Sequence, residues 1–179
     1  MCVQDVLDSD AGYEVFQSVL RALTLPDDLE IEYFIDWNPP GRHFYACAMS
    51  KAAWHFPSNG GDLPTFIHIE PQFQRAVPGR TATFRVYLHW EIDPYETQAQ
   101  AGGHYSPGLI ERYQQRRRNL QAHMRNHHPH LLQLAGSWNG VGSRRIDIAG
   151  MTVSQLCERL QPILAEISAA VDDYLRGRG

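Results

Sequence analysis

The stretch TFRVYLHWEID, residues 83–93, decides the fold of this 179-residue chain. Apolar and polar residues alternate through it without interruption: Phe84, Val86, Leu88, Trp90 and Ile92 form one row, and Arg85, Tyr87, His89, Glu91 and Asp93 form the other. A strand with this period of two is buried on one face. We therefore expect a sheet whose apolar face is covered by helices and whose polar face carries ionisable side chains.

The neighbouring strand is predicted over residues 65–73, and it returns through the turn Pro78-Gly79. The register that places Glu70 opposite Arg85 sets apolar side chains against apolar ones and polar against polar. A slip by one residue would mix the apolar and charged rows. We therefore expect a hairpin with a Glu70–Arg85 cross-strand pair.

The rest of the chain predicts further strands and three helices. Strands are expected over 31–37, from Arg42 onward and over 145–148. The first helix is predicted over 11–23, with Ser9 or Asp10 as its cap. The second is predicted over 106–128, with Ser106 as its cap and Pro107 at the first helical position. The third begins at the capping box of Thr152 and is expected to kink at Pro162. These elements predict one α/β (α+β) domain over 1–179, with a mostly antiparallel sheet of four or five strands and three helices packed mainly on one face.

The composition is typical of an ordinary globular protein, with 43% hydrophobic and 20% charged residues. No apolar run approaches the roughly 20 residues that cross a bilayer, and the acidic N-terminal segment lacks the pattern of a signal peptide. The three cysteines, Cys2, Cys47 and Cys157, form no C-x-x-C pair, which argues against a disulfide framework or a cysteine zinc site. We expect a cytoplasmic protein with no cofactor and no membrane contact.

A basic segment is the main electrostatic feature of the sequence. Residues 111–130 carry one acid and five arginines, Arg112, Arg116, Arg117, Arg118 and Arg125. This segment has a local charge of +4, against a net charge of -4 for the whole chain. A basic helix on an acidic body predicts a surface for a polyanion or an acidic protein, and the alternative is a solvated helix face. Arg117 falls on the apolar stripe of the helix, where it either reaches the edge or points at a carboxylate.

Two groups of residues could hold a metal ion. The polar face of the hairpin brings His68, Glu70, His89 and Glu91 close together, as ligands or as an acid/base pair. The alternative is a solvated sheet face, on which Tyr87 and His89 are candidate binding residues. The second group is His123, His127, His128 and His130 at the end of the basic helix, and it lacks an obvious third ligand.

The nuclease constellation PD-(D/E)xK has two incomplete matches in the chain. Asp36 is followed by Lys51 without the expected carboxylate, and Asp62 is followed by Glu70 with Gln72 in place of the lysine. The glycine-rich residues 136–142 fail as a phosphate loop, because a strand rather than a helix is expected next.

The C-terminal half resembles an uncharacterised bacterial domain family associated with PD-(D/E)xK-like folds. The resemblance lies in the strand 85–92, the charged helix after it, Leu134 and Trp138 in the following turn, and Ser143-Arg144-Arg145-Ile146 before a final amphipathic helix. It implies a place in prokaryotic defence or mobile-element biology and brings no established activity.

We therefore expect a non-enzymatic recognition module that binds a nucleic acid or a protein of a defence or counter-defence system. Its binding residues would lie on the basic helix and on the polar sheet face. Two alternatives are open: a metal-dependent phosphodiesterase or nuclease with a degenerate site, and an immunity-type inhibitor whose acidic body masks a basic toxin. The sequence does not indicate an oligomeric state.

Overall fold

Seven antiparallel strands form one sheet in the computed structural model, which describes residues 2–40, 42–57, 62–77, 81–92, 107–134 and 140–177. The strands are β1 Glu30–Trp37, β2 Phe44–Ser50, β3 His55–Phe56, β4 Thr65–Gln74, β5 Thr83–Ile92, β6 Gln133–Leu134 and β7 Gly140–Ile146. Their spatial order is β1-β2-β4-β5-β7-β6, and the short β3 pairs with β4. Among the described strands, the five long ones match the expected number, and β3 and β6 add two residues each.

The helices of the described part lie on one face of this sheet. They are α1 Val3–Leu7, α2 Gly12–Arg21, α3 Pro107–His127 and α4 Val153–Arg176. On α2, Phe16 packs against Tyr45 of β2, and on α4, Tyr174 packs edge-on against Trp90 of β5. Apolar side chains from all four helices share one core cluster with the inward rows of β4 and β5. The α+β class, the antiparallel sheet and the one-sided helical layer are therefore confirmed, in a single compact unit.

The register of the central hairpin differs from the expected one by two residues. His68 lies opposite His89, Glu70 opposite Tyr87, and Gln72 opposite Arg85. The predicted Glu70–Arg85 pair is therefore wrong. A shift of two residues keeps every side chain on its face, so the alternation of apolar and polar residues does not distinguish the two registers. The connection that sets the register includes residues 78–80, which lie outside the described part.

Some predicted boundaries also change. Helix α2 begins after Ala11 without a side-chain cap, because the hydroxyl of Ser9 instead donates to the carbonyl of Val6 at the end of α1. Strand β7 begins at Gly140, earlier than expected, and a Cβ at Gly142 would lie 2.9 Å from Cβ of Leu132. Only glycine lets the chain beside β6 come this close.

Other boundary predictions hold or fall outside the described residues. Helix α3 starts at Pro107 and the capping box at Thr152 is formed, both as predicted. Helix α4 runs without interruption through Pro162. The predicted cap Ser106, the loop before it and Trp138 are not among the described residues.

The cysteines behave as small apolar residues. All three are free, and Cys47 is fully buried in β2. Burial raises the pKa of Cys47 to about 12, so its thiol stays protonated at neutral pH. None of the described helices has the length and apolar character needed to cross a bilayer.

Candidate functional site: the sheet face without helices

The second face of the sheet carries the side chains that point away from the described helices. On β4 and β5 these are Phe66, His68, Glu70, Gln72, Arg85, Tyr87, His89 and Glu91. None of them belongs to the core cluster on the helix side. Because side chains alternate along each strand, the paired rows of β4 and β5 fix one polar and aromatic face. Both Tyr87 and His89, predicted as binding residues, lie on it.

Three aromatic rings and three guanidinium groups lie along one end of this face, on strands from β1 to β7. We call this set the aromatic–arginine surface; it comprises Trp37, Arg42, Phe44, Arg85, Tyr87 and Arg145. Trp37 lies opposite Phe44 on the paired strands β1 and β2, and 54% of its side chain is exposed. The guanidinium carbon of Arg42 lies 4.8 Å from the centre of the Phe44 ring. The surface therefore combines accessible aromatic rings with positive charge.

The arginines of this surface have few partners within the described residues. Arg85 and Arg145 lie directly opposite each other on β5 and β7. Arg85 donates to the hydroxyl of Ser143 at 3.4 Å, and no described carboxylate forms an ion pair with either arginine or with Arg42. A like-charged pair directly across two strands is unfavourable by itself. A bound anion would therefore stabilise the Arg85–Arg145 pair by offsetting its positive charge.

The pKa of Tyr87 is affected by the positive charge of the arginines on this surface. Burial raises the pKa of Tyr87, while the positive charges of Arg85 and then Arg42 oppose that rise. Tyr87 also packs edge-on against His89, with ring centres 5.5 Å apart. Tyr87 thus links the aromatic–arginine surface to the imidazole groups further along β5.

Imidazoles and carboxylates occupy the other end of the face. His68 and His89 lie opposite each other with ring centres 5.1 Å apart, and His68 stacks on Phe66 at 4.8 Å. Nδ1 of His89 lies 3.1 Å from Oε1 of Glu91, a hydrogen-bond distance. Nε2 of His68 lies 3.6 Å from Oε2 of Glu70, close enough for attraction but too long for a hydrogen bond.

Two of the predicted metal ligands, His68 and His89, lie close together, but the carboxylate that joins them is Glu91 and not the predicted Glu70. The ligand atoms that fall within 4.8 Å of one another belong to His68, His89 and Glu91. Glu70 instead flanks His68 on the same strand.

The arginines of the basic helix make contacts within the protein. Arg116 forms an ion pair with Asp62 at 2.6 Å, and Arg112 lies 3.4 Å from the same carboxylate. Arg117 donates to the carbonyl of Gly140 at 2.6 Å, so its guanidinium reaches a backbone oxygen under the helix. Arg118 bonds to Gln115 on α3.

The remaining predicted arginine, Arg125, is exposed on α3. Since α3 belongs to the helical layer, the predicted binding residues are divided between two sides of the molecule. Tyr87 and His89 lie on the sheet face, and the five helix arginines lie away from it.

The histidine-rich end of α3 gains a carboxylate from the C-terminal helix. Ligand atoms of His123, His128 and Asp173 lie within 4.8 Å of one another, and the ring of His127 is 4.8 Å from that of His123. Burial lowers the pKa of His123, helped by the neighbouring His127 and His128 and opposed by Asp173. The sequence pattern of the histidines lacked a third ligand, and the structure provides one in Asp173, which is distant along the chain.

Neither nuclease match brings its residues together. Asp36 pairs opposite Tyr45 and bonds to His43 at 2.7 Å, whereas Lys51 follows the other end of β2 and binds Asp172 at 2.7 Å. In the second match, Asp62 precedes β4 and pairs with Arg116, while Glu70 lies five residues into that strand, on the order of 16 Å from its start.

Five residues of the aromatic–arginine surface were not predicted as binding residues: Trp37, Arg42, Phe44, Arg85 and Arg145. A bulge between Ile31 and Tyr33 breaks the alternation of β1, so that Phe34 packs against Phe16 on the helix side. The available signal was the pair of aromatic residues on either side of the turn before β2, with an arginine inside it.

Comparisons of this chain with known family models, with curated proteins and with solved structures found no match. The resemblance to a bacterial domain family therefore stays a prediction.

Proposed function

We propose that this protein is a non-enzymatic recognition module that binds a single-stranded nucleic acid on the aromatic–arginine surface. The observation that supports this proposal is the exposed Trp37 beside Phe44 and Arg42, on a sheet face that no described helix covers. Bases stack on aromatic side chains with little dependence on sequence, and arginines contact the phosphates.

The arrangement across the sheet suits an extended strand. Neighbouring strands of a sheet are about 4.8 Å apart, so rings on β1, β2 and β5 span roughly 15 Å across the face. That span accommodates a few nucleotides whose bases are unstacked from one another. Arg42 lies over the Phe44 ring, and Arg85 and Arg145 lie at the β5 and β7 side of the span, where they would meet the backbone phosphates.

A single strand fits this surface better than a duplex does. Bases within a duplex are stacked on each other, and their faces are inaccessible to Trp37 or Tyr87. The described part of the sheet face also presents no helix to enter a major groove. The flat aromatic platform therefore favours bases that are already unpaired.

The direct test measures binding of a labelled single strand of about 12 nucleotides by fluorescence anisotropy. Trp37→Ala should weaken binding by about tenfold, because one stacking contact contributes about 1–3 kcal/mol. Trp37→Phe is the matched control, since it retains a ring on the same exposed position, and it should bind more tightly than Trp37→Ala.

Two results would contradict the proposal. One is a wild-type protein that binds no single strand at low salt. The other is binding that is equal in wild type, Trp37→Ala and Trp37→Phe. If the same substitutions instead removed a complex with an acidic protein, the partner class would change from nucleic acid to protein.

The location in the cell and the biological role are proposed from the composition and from the family resemblance. A cytoplasmic location is proposed from the composition and the three unpaired cysteines. A role in prokaryotic defence or counter-defence is proposed from the family resemblance alone. Cell fractionation tests the first, and a change in phage infection on expression tests the second.

A further inference from the structure

We propose that His68, His89 and Glu91 form a binding site for one divalent transition-metal ion on the helix-free sheet face. This site lies beside the aromatic–arginine surface and does not depend on nucleic-acid binding. The first support is convergence, since one ligand atom from each residue lies within 4.8 Å of the others.

The fold holds two of the three ligands in register. His68 and His89 are direct partners on the central strands β4 and β5, and the pairing of these strands extends over ten residue pairs. Glu91 follows His89 by two residues and therefore projects from the same face. Sites built on regular strands hold their side chains more firmly than sites built on loops.

The second support is independent of this clustering. His68 is fully buried, and neither of its ring nitrogens has a hydrogen-bond partner among the described residues. Buried polar atoms without partners are rare, because each one loses its bonds to water and gains none in return. A metal ion bound to one nitrogen would supply the missing interaction.

Glu70 completes the surroundings of His68. Its Oε2 atom lies 3.6 Å from Nε2 of His68, so a small movement would make a hydrogen bond. With Nε2 donating to Glu70, Nδ1 of His68 is left for the ion. Carboxylates commonly orient metal-binding histidines in this way, and their loss weakens metal binding by about 10- to 100-fold.

The ligand set selects the class of ion. Two imidazoles and one carboxylate suit Zn²⁺ and other late divalent transition metals, whereas Mg²⁺ and Ca²⁺ prefer oxygen ligands. Ligand atoms around one Zn²⁺ ion lie about 3–3.5 Å apart, so the side chains must close by about 1 Å. Nδ1 of His89 and Oε1 of Glu91 already lie 3.1 Å apart, so the closure is an approach between this pair and His68.

The cluster of His123, His128 and Asp173 serves as the internal control. It has the same kinds of ligand atoms within the same distance, but Asp173 is 59% exposed, and His128 follows the end of α3. Metal binding at that cluster would be unaffected by changes on the sheet face. The two candidates are therefore separable by substitution.

The experiment titrates the full chain with Zn²⁺ by calorimetry after treatment with a chelator. Wild type should bind Zn²⁺, and His89→Gln and Glu91→Gln should each weaken that event at least tenfold. Glu70→Gln should weaken it less than these two variants do and leave the stoichiometry unchanged, because the amide oxygen can still accept a hydrogen bond from His68. The double variant His123→Gln/His128→Gln should retain the event within about twofold.

Circular dichroism of each variant establishes that the fold is retained. His89 and Glu91 are used rather than the fully buried His68, because their side chains are 14% and 23% exposed and tolerate substitution better. Absence of Zn²⁺ binding by wild type would overturn the proposal. So would binding that survives both sheet-face variants, or binding that is lost in the His123→Gln/His128→Gln variant instead.

Discussion

On β5 the two faces of the central sheet differ in burial and in chemistry. Along β5, the inward side chains Phe84, Val86, Leu88 and Trp90 are at most 1% exposed. The side chains between them are only partly buried, and they include a guanidinium, a phenol, an imidazole and a carboxylate. One face is therefore specified by packing against helices, and the other is specified by the chemistry of its side chains.

The second face keeps features that stability alone does not favour. Arg85 lies opposite Arg145, and His68 is buried without a hydrogen-bond partner in the described part of the chain. Each of these features has an unfavourable free energy in the isolated protein. Such local conflicts tend to occur where a protein binds something, because the ligand removes the conflict. We therefore propose that the helix-covered face provides stability and that the other face provides binding.

The largest expected effect is on the helix face. Leu88→Ala should lower the free energy of unfolding by about 2–5 kcal/mol, because it leaves a cavity in a fully buried part of the core. On the same strand but the other face, Arg85→Ala removes one hydrogen bond and should cost only about 0.5–1.5 kcal/mol. Urea unfolding followed by circular dichroism measures both. Equal losses for the two variants would contradict the difference between the two faces.

A smaller effect is expected on the pH dependence of stability, through His123 on the helical side of the molecule. Burial lowers the pKa of His123 in the folded protein below its ordinary value of 6.5. The unfolded chain therefore binds more protons than the folded one as the pH falls below that value, and stability should decrease there. Groups facing His123 are His127 and His128 beside it, and Asp173 and Tyr174 from α4.

The measurement for this prediction compares unfolding midpoints at several pH values between about 7 and 5 for wild type and His123→Gln. The variant lacks the titrating imidazole, so its stability should depend less on pH in this range. A steeper dependence in the variant than in wild type would contradict the assignment.

The alternation of β4 and β5 was sufficient to predict the sheet, its two faces and the side chains on them. It did not fix the register, because a shift of two residues leaves both faces unchanged. That shift matters for the site, since it sets His68 against His89 rather than Glu70 against Arg85. The prediction was therefore accurate for the faces and wrong for the residue pairs.

Other parts of the site depend on contacts between residues that are distant in sequence. The charge of the basic helix suggested a free binding surface, but Asp62 from the segment before β4 pairs with Arg116. Asp173 joins the histidines of α3 from another helix. In β1, a bulge places Trp37 on the helix-free face and Phe34 on the helix face. No local pattern in the sequence encodes these arrangements.

The measurement that tests the central claim most directly compares two double charge reversals for binding to the same single strand. Arg85→Glu/Arg145→Glu changes the sheet face, and Arg118→Glu/Arg125→Glu changes α3 by the same total charge. The sheet-face variant should bind at least tenfold more weakly, with a salt slope of log K reduced by about 1.4 for two lost phosphate contacts. The helix variant should bind within about threefold of wild type, because the four-unit change in net charge acts only at long range. The opposite order of effects would contradict the assignment of binding to the sheet face and would favour the basic helix.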